Sequence, residues 1–229
     1  DQVFPFLKDF SEAGTTYSQH MQDALFSIPN PQVLSQVVEH LSDIDMSDRD
    51  TKGDLYEYML AKIATAGQNG QFRTPRHIIK LMVDMIQPKP SDKICDPACG
   101  TAGFLVAASE YIEQNHSSEI YADDNARKRY TDETFFGYDF DSTMLRIGSM
   151  NMMLHGIENP DIRYRDSLAE DEDLHADRYS VILANPPFAG SLAYESTAKD
   201  LLQVIKTKKT ELLFMTLFVR LLQVGGRAA

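Results

Sequence analysis

The sequence predicts an α/β domain built on a parallel sheet covered on both faces, preceded by a segment of helices. Three observations carry this. Up to about residue 66 the apolar residues recur at helical spacing. From Thr74 onward, short β-branched or aromatic runs alternate with helical stretches, as in strands joined by crossover helices. Between the two lies Gly67-Gln68-Asn69-Gly70, a turn cluster that marks a boundary. The implied division is a helical N-terminal domain over 1–69 and an α/β domain over 70–229.

In the first part, Leu25, Phe26 and Ile28, then Val33, Leu34, Val37, Val38 and Leu41, follow the helical period. Asp54 to Ile63 reads as another amphipathic helix, with Lys52-Gly53-Asp54 at its cap. The next helix starts at Thr74-Pro75, with Thr as N-cap and Pro at the first helical position. It runs through Ile78, Ile79, Leu81, Met82, Val83 and Met85, and Gln87-Pro88-Lys89-Pro90 ends it. A short first strand lies at Lys93-Ile94-Cys95. The loop Asp96 to Gly103 follows, and a helix opens at Phe104.

The polar stretch 114–133 reads as a loop or ragged helix end. The second strand is Thr134 to Tyr138, ending on Asp139. A helix through Leu145, Ile147, Met150, Met153 and Leu154 closes near His155-Gly156. The third strand covers about Ile162 to Tyr164 and ends at Asp166. The fourth is Ser180 to Ala184. A long apolar helix from about Glu211 to Val224 is capped by Gly225-Gly226, and Arg227-Ala228-Ala229 begins a fifth strand.

Composition bounds the function. Hydrophobic residues make up 43% of the 229, enough for a core, and no apolar run reaches bilayer length. Asp1 to Phe10 mixes charge with aromatics, so no signal peptide is expected there. Cys95 and Cys99 are the only cysteines and lack a companion pair, so neither a disulfide framework nor a zinc site is expected, and the default location is cytoplasmic. Met144, Met150, Met152 and Met153 read as core, and His155 as a helix-end residue. The net charge is -12. A chain that grips nucleic acid alone carries basic surface. Here the dense basic run is Lys206-Thr207-Lys208-Lys209, which reads as a solvated helix start. Action on DNA would need grip from another component.

The chemistry sits where strands end. Val181 to Ala184 is followed directly by Asn185-Pro186-Pro187-Phe188. Two prolines cannot continue a central strand, so this is a rigid elbow at a strand's carboxyl end, where open α/β sheets bind ligands. It offers an amide, a backbone carbonyl freed from the ladder and an aromatic face, the parts needed to hold a flat base by its amino group. The first loop has Gly100 and Gly103 spaced G-x-x-G rather than G-x-G-x-x-G, so the nicotinamide fingerprint is absent. It begins with Asp96, an acid that would repel a pyrophosphate and suits a cation such as S-adenosylmethionine. Asp139 is placed to accept from ribose hydroxyls. Taken singly, Asp96 or Asp139 reads first as a helix N-cap; their order and spacing favour the ligand reading.

These residues resemble a known family. Asp96 to Phe104, Asp139 and Asn185 to Phe188 look like motifs I, II and IV of the amino methyltransferases. Gly70-Gln71-Phe72-Arg73-Thr74-Pro75-Arg76 resembles the motif upstream of the glycine loop. The Leu55-Tyr56-Glu57-Tyr58 helix resembles the segment before it in modification subunits of type I restriction-modification systems. The resemblance implies a Rossmann-like S-adenosylmethionine-dependent methyltransferase sheet, with its last strands beyond this sequence, and N6-methylation of DNA adenine.

It further implies that Gln71, Phe72, Arg73, Thr74, Pro75 and Arg76 wrap one side of the cofactor. Thr101, Ala102 and Gly103 would lie under its methionine portion, and Asp139 would hold the ribose. Asp166 falls near the cofactor's adenine or is an ordinary turn acid. Arg73 departs from the aromatic common at its place. Asn185 and Pro186 would hold the adenine amino group, with Phe188 stacked on the flipped base. The implied partners are DNA and the specificity and restriction subunits, with two modification subunits per complex. A separate specificity subunit accounts for an acidic chain. Two other readings stay open: a methyltransferase acting on a protein glutamine, and a non-catalytic assembly subunit.

Overall fold

The computed structural model describes residues 3–8, 15–43, 58–59, 74–170, 176–188 and 197–229. The first of these form helices α1 (Val3–Lys8), α2 (Thr16–Met21) and α3 (Pro31–Ser42). Residues 24–30 are not helical, because Pro29 and Pro31 break the period that Leu25, Phe26 and Ile28 suggest. Asn30 caps α3, its Oδ1 accepting the Gln32 N–H at 2.9 Å. Tyr58 and Met59 are helical, while the rest of the Asp54–Ile63 span and the Gly67–Gly70 turn lie outside the described residues.

The remainder alternates helices and strands: α4 (Arg76–Ile86), β1 (Ile94–Asp96), α5 (Gly103–Ile120), α6 (Asp124–Glu133), β2 (Phe135–Asp139), α7 (Ser142–Leu154), β3 (Asp161–Tyr164), β4 (Tyr179–Ile182), α8 (Lys199–Val204), α9 (Thr210–Leu221) and β5 (Leu222–Ala228). The strands form one sheet in the order β3-β2-β1-β4-β5, each neighbouring pair parallel. Adjacent residues serve opposite faces. Ile94, Phe135, Val181 and Leu183 join the core beneath α4, α5, α6 and α7. Cys95, Phe136, Tyr138, Ile182 and Ala184 join the core beneath α8 and α9. A sheet buried on both faces is what the near-continuous apolar strands require.

Three expectations need correction. The polar stretch 114–133 is helical: α5 continues to Ile120, and Asp123 caps α6 by accepting the Ala126 N–H at 2.7 Å. One residue anchors α6, the buried Tyr130, which packs edge-on against Phe135 at 5.4 Å and donates to the Ser109 carbonyl at 3.2 Å. Second, the last helix ends at Leu221, and Gly225-Gly226 lies inside β5 rather than capping a helix. The β4–β5 register shifts between Tyr179 and Val181. Gly225 takes φ +83, and a Cβ on Gly226 would come within 2.9 Å of the Gln223 carbonyl. The glycines therefore accommodate a bulge. Tyr179 joins the same face as Ile182, a break in alternation along β4 itself. Third, Pro75 is the N-cap of α4 and Thr74 makes no capping bond.

Of the N-terminal helices, α2 packs directly on the α/β part. Tyr17, Met21 and Ala24 bury themselves against Met150 and Met153 of α7. Arg146 Nε donates to the His20 carbonyl at 2.9 Å, and Thr16 Oγ1 donates to the Pro160 carbonyl at 2.7 Å. The methionine-rich stripe is thus divided: Met152 serves the sheet core, Met150 and Met153 seat α2, and Met144 is buried.

Candidate functional site

Strand order decides where a site can form. The chain runs from β1 outward to β3, then crosses back to place β4 on the other side of β1. The carboxyl ends of β1 and β4 are therefore a topological switch point, where α/β sheets open a crevice. The glycine loop leaves β1 there, and the proline elbow leaves β4. With neighbouring strands about 4.8 Å apart, Asp139 at the end of β2 is one strand further along.

The glycine loop is held from several sides. Asp96 is buried, and its Oδ1 accepts the Ala98 N–H at 3.0 Å, turning the chain as it leaves β1. The Cys99 N–H donates to the Tyr138 carbonyl at 2.9 Å. Gly100 adopts φ +50 and Ala102 φ +61, and a Cβ on Gly100 would meet nothing within 4 Å. From α7, Asn151 Nδ2 donates to the Thr101 carbonyl at 2.9 Å. Gly148, one turn earlier, has no side chain to push against Gly100: a Cβ would lie 3.1 Å from its carbonyl. Sequence reasoning missed Gly148 and Asn151. An isolated glycine within a helical pattern was the available signal.

Asp139 is engaged on both oxygens. Oδ2 accepts the Gly100 N–H and Oδ1 the Asp141 N–H, each at 2.9 Å. Asp141 then caps α7 by accepting the Thr143 N–H at 2.8 Å. Burial raises the Asp139 carboxyl above its ordinary pKa, against the pull of these two N–H groups. Burial acts more strongly on Asp96, pushing it up to about 8, with the Ala98 N–H opposing and Asp139 adding to the rise. Beside Asp139, Phe140 is 66% exposed, a flat apolar face that the sequence reading did not single out.

Asp166 makes a turn bond, its Oδ1 accepting the Leu168 N–H at 3.0 Å. The same loop reaches the glycine turn, because Ser167 Oγ donates to the Pro97 carbonyl at 2.6 Å. Phe104 packs into the sheet core and presents no face to a ligand. Arg76 pairs with Glu110 of α5 at 3.2 Å. Gln71, Phe72 and Arg73 lie outside the described residues.

At the elbow, the Leu183 N–H still donates to the Cys95 carbonyl at 3.1 Å, and the Ala184 N–H to the Ala229 carbonyl at 3.2 Å. The prolines then end the ladder. Asn185 and Pro186 are half-buried, Pro187 is exposed and Phe188 is 65% exposed. Asn185 Nδ2 donates to Thr74 Oγ1 at 2.8 Å, tying the elbow to the residue before α4. An open cavity of about 310 Å³ lies at the opposite, amino-terminal ends of the strands, lined by Lys93, Arg178 and Gln223 among others, away from these loops.

A parallel sheet in this order, with a glycine turn, an acid and a proline elbow at three neighbouring strand ends, defines a Rossmann-like domain of the methyltransferase class. More narrowly, the chain belongs to the N-6 DNA Methylase family, whose model matches residues 47–229. It is similar to the methylase subunit of the type I restriction enzyme EcoEI from Escherichia coli, 33% identical over 239 residues, covering 100% of this chain and 48% of that protein. It is also similar to the StySPI methylase subunit of Salmonella potsdam, 32% identical over 91% of this chain and 41% of that protein. Among solved structures it matches a modification subunit assigned to a type I restriction enzyme of Vibrio vulnificus YJ016, with a TM-score of 0.76 at 29% identity over 99% of this chain and 49% of that one. The chain spans a little under half the length of the curated relatives it matches. Among the described residues, no helix is long and apolar enough to cross a membrane.

Proposed function

We propose that this chain carries the catalytic core of an adenine-specific DNA methyltransferase, the modification subunit of a type I restriction-modification complex in the cytoplasm. The observation that carries the reading is the juxtaposition of the glycine loop and the Asn185–Phe188 elbow at the ends of adjacent parallel strands. The glycine loop would hold a nucleoside cofactor, and the elbow would hold a base beside it.

The residues fit S-adenosylmethionine by their chemistry. Asp139 supplies an acid for a cationic ligand and has lone pairs left for ribose hydroxyls beyond the two N–H groups it holds. Asp96, buried and with its carboxyl pKa pushed up to about 8, stays beneath the loop as a neutral acid that shapes it, contrary to the charge contact its place in the sequence suggests. Gly100 leaves open space at the loop, and Phe140 supplies a flat face for adenine. Thr101, Ala102 and Gly103 bring backbone close to the methionine portion, Asp166 stands on the adenine side, and Gln71, Phe72, Arg73, Pro75 and Arg76 would wrap the other. When bound, the cofactor supplies an electrophilic methyl group.

The elbow prepares the nucleophile. An adenine amino group is weakly nucleophilic because its lone pair is delocalised into the ring. Asn185 Oδ1 and the Pro186 carbonyl accept its two hydrogens, draw the nitrogen toward tetrahedral geometry and localise the lone pair. Phe188 stacks on the base, which has left the duplex to reach the site. Catalysis is mostly positioning and electrostatics. No base is needed beforehand, since the methylated ammonium is acidic enough to release its proton to solvent.

The acidic chain leaves DNA grip and sequence choice to a specificity subunit, with a restriction subunit and a second modification subunit completing the assembly. The test is Asn185→Ala in the assembled enzyme, with labelled cofactor. Methyl transfer to DNA should fall below detection while cofactor affinity, by calorimetry, stays within about threefold of the parent. Transfer at the parent's rate would overturn the assignment. Label on protein instead of DNA would favour the glutamine reading.

A further inference from the structure

We infer that Thr74 is a positioning residue for methyl transfer, its hydroxyl holding the Asn185 amide by Nδ2 so that Oδ1 is left to meet the target. This rests on the role proposed for Asn185. An asparagine amide has a donor end and an acceptor end of nearly the same shape, and a half-turn exchanges them. Only the acceptor end can take a hydrogen from an amino group. With the amide reversed, NH2 would face NH2, and the lone pair of the target nitrogen would stay delocalised. The amide must therefore be held with Oδ1 turned to the target, and Pro186, having no N–H, offers no donor to help hold it.

Thr74 is built for it. Its hydroxyl accepts from Asn185 Nδ2 at 2.8 Å, across 111 residues of sequence. A threonine immediately before a helix would ordinarily spend that oxygen on an N-terminal N–H. Here Pro75 is the N-cap and α4 has no side-chain cap, so the hydroxyl is available to the elbow. No described residue donates to Asn185 Oδ1, which is left for the target. Thr74 therefore links the loop before α4 to the geometry of the elbow. This differs from a cofactor contact, the role the resemblance implies for the same residue.

The experiment compares Thr74→Val, which keeps the shape and removes the hydroxyl, with Thr74→Ser, which restores it. Both are placed in the full chain within its complex, beside Asn185→Ala. Thr74→Val should lower kcat about 20-fold or more, the scale on which misplaced reacting groups lose rate. Cofactor Kd and the KM for DNA should stay within about threefold of the parent. Thr74→Ser should recover most of kcat. If Thr74→Val melts well below the parent, Thr74→Ala takes its place under the same criteria. Unchanged kcat without the hydroxyl would overturn the inference, and so would a loss confined to cofactor Kd, which would make Thr74 a cofactor contact. Full activity in Asn185→Ala would instead overturn the reading of the elbow itself.

Discussion

The Gly100 N–H donates to Asp139 Oδ2 at 2.9 Å, so the acid that ends β2 holds the loop that leaves β1. Its other oxygen takes the Asp141 N–H and starts the turn into α7. One carboxylate thus sets the backbone of both the glycine loop and the turn into α7 before any ligand arrives. Replacing it by alanine strands two backbone donors. Asp139→Ala should destabilise the fold by about 2–3 kcal/mol, the scale for hydrogen bonds to a charged acceptor, and cost more than tenfold in cofactor affinity. Asp139→Asn keeps one acceptor oxygen and should lose less stability. Chemical denaturation and calorimetry measure the two effects. An alanine variant as stable as the parent would refute the loop-holding role.

Asp96 gives the stability a pH dependence with a defined sign. Burial raises its folded pKa to about 8, whereas in the unfolded chain it titrates near its ordinary value of about 4. The unfolded state therefore releases a proton across a range where the folded state keeps it. The contribution is fully present below about pH 4, declines as pH rises, and is lost above about pH 8. Asp96→Asn keeps an oxygen for the Ala98 N–H and has no proton to lose. The stability difference, parent minus variant, should fall from pH 5 to pH 8, by at most about 1.4 kcal/mol per pH unit. Melting curves of the cofactor-free proteins across that range test it, and a flat difference would show that Asp96 is not buried as a neutral acid.

Most of this site was legible in sequence because its parts are punctuation. Prolines at 186 and 187, the glycines at 100 and 103, and single acids at strand ends each break a local pattern, and the breaks fall where the strands stop. What was not legible depends on contacts between distant segments. α6 has a polar sequence whose helicity rests on an N-cap and one tyrosine, Tyr130, inserted against β2, which no period reveals. Gly225-Gly226 resembles a helix cap until the pairing of β5 with β4 turns it into a bulge. Thr74 reads as a cap residue because the sequence cannot show Asn185 lying 2.8 Å away. Gly148 was passed over for the same reason.

Gly148 also separates stability from function. It sits inside α7, where glycine is worse than alanine by about 0.5–1 kcal/mol. A methyl group there would lie 3.1 Å from the Gly100 carbonyl and 3.4 Å from Ala102 Cβ, so the glycine loop must yield by a few tenths of an ångström. The helix gains what the loop loses, and Gly148→Ala should melt within a few degrees of the parent. The loop is nevertheless the surface proposed to meet the cofactor, and its displacement should weaken cofactor binding about tenfold, ~1.4 kcal/mol. Asn151→Ala disturbs the same loop by another route, removing the donor to the Thr101 carbonyl, and should weaken binding in the same direction. Calorimetric titration of both variants decides the matter. If Gly148→Ala binds cofactor as tightly as the parent, the close approach of α7 to the glycine loop serves packing alone.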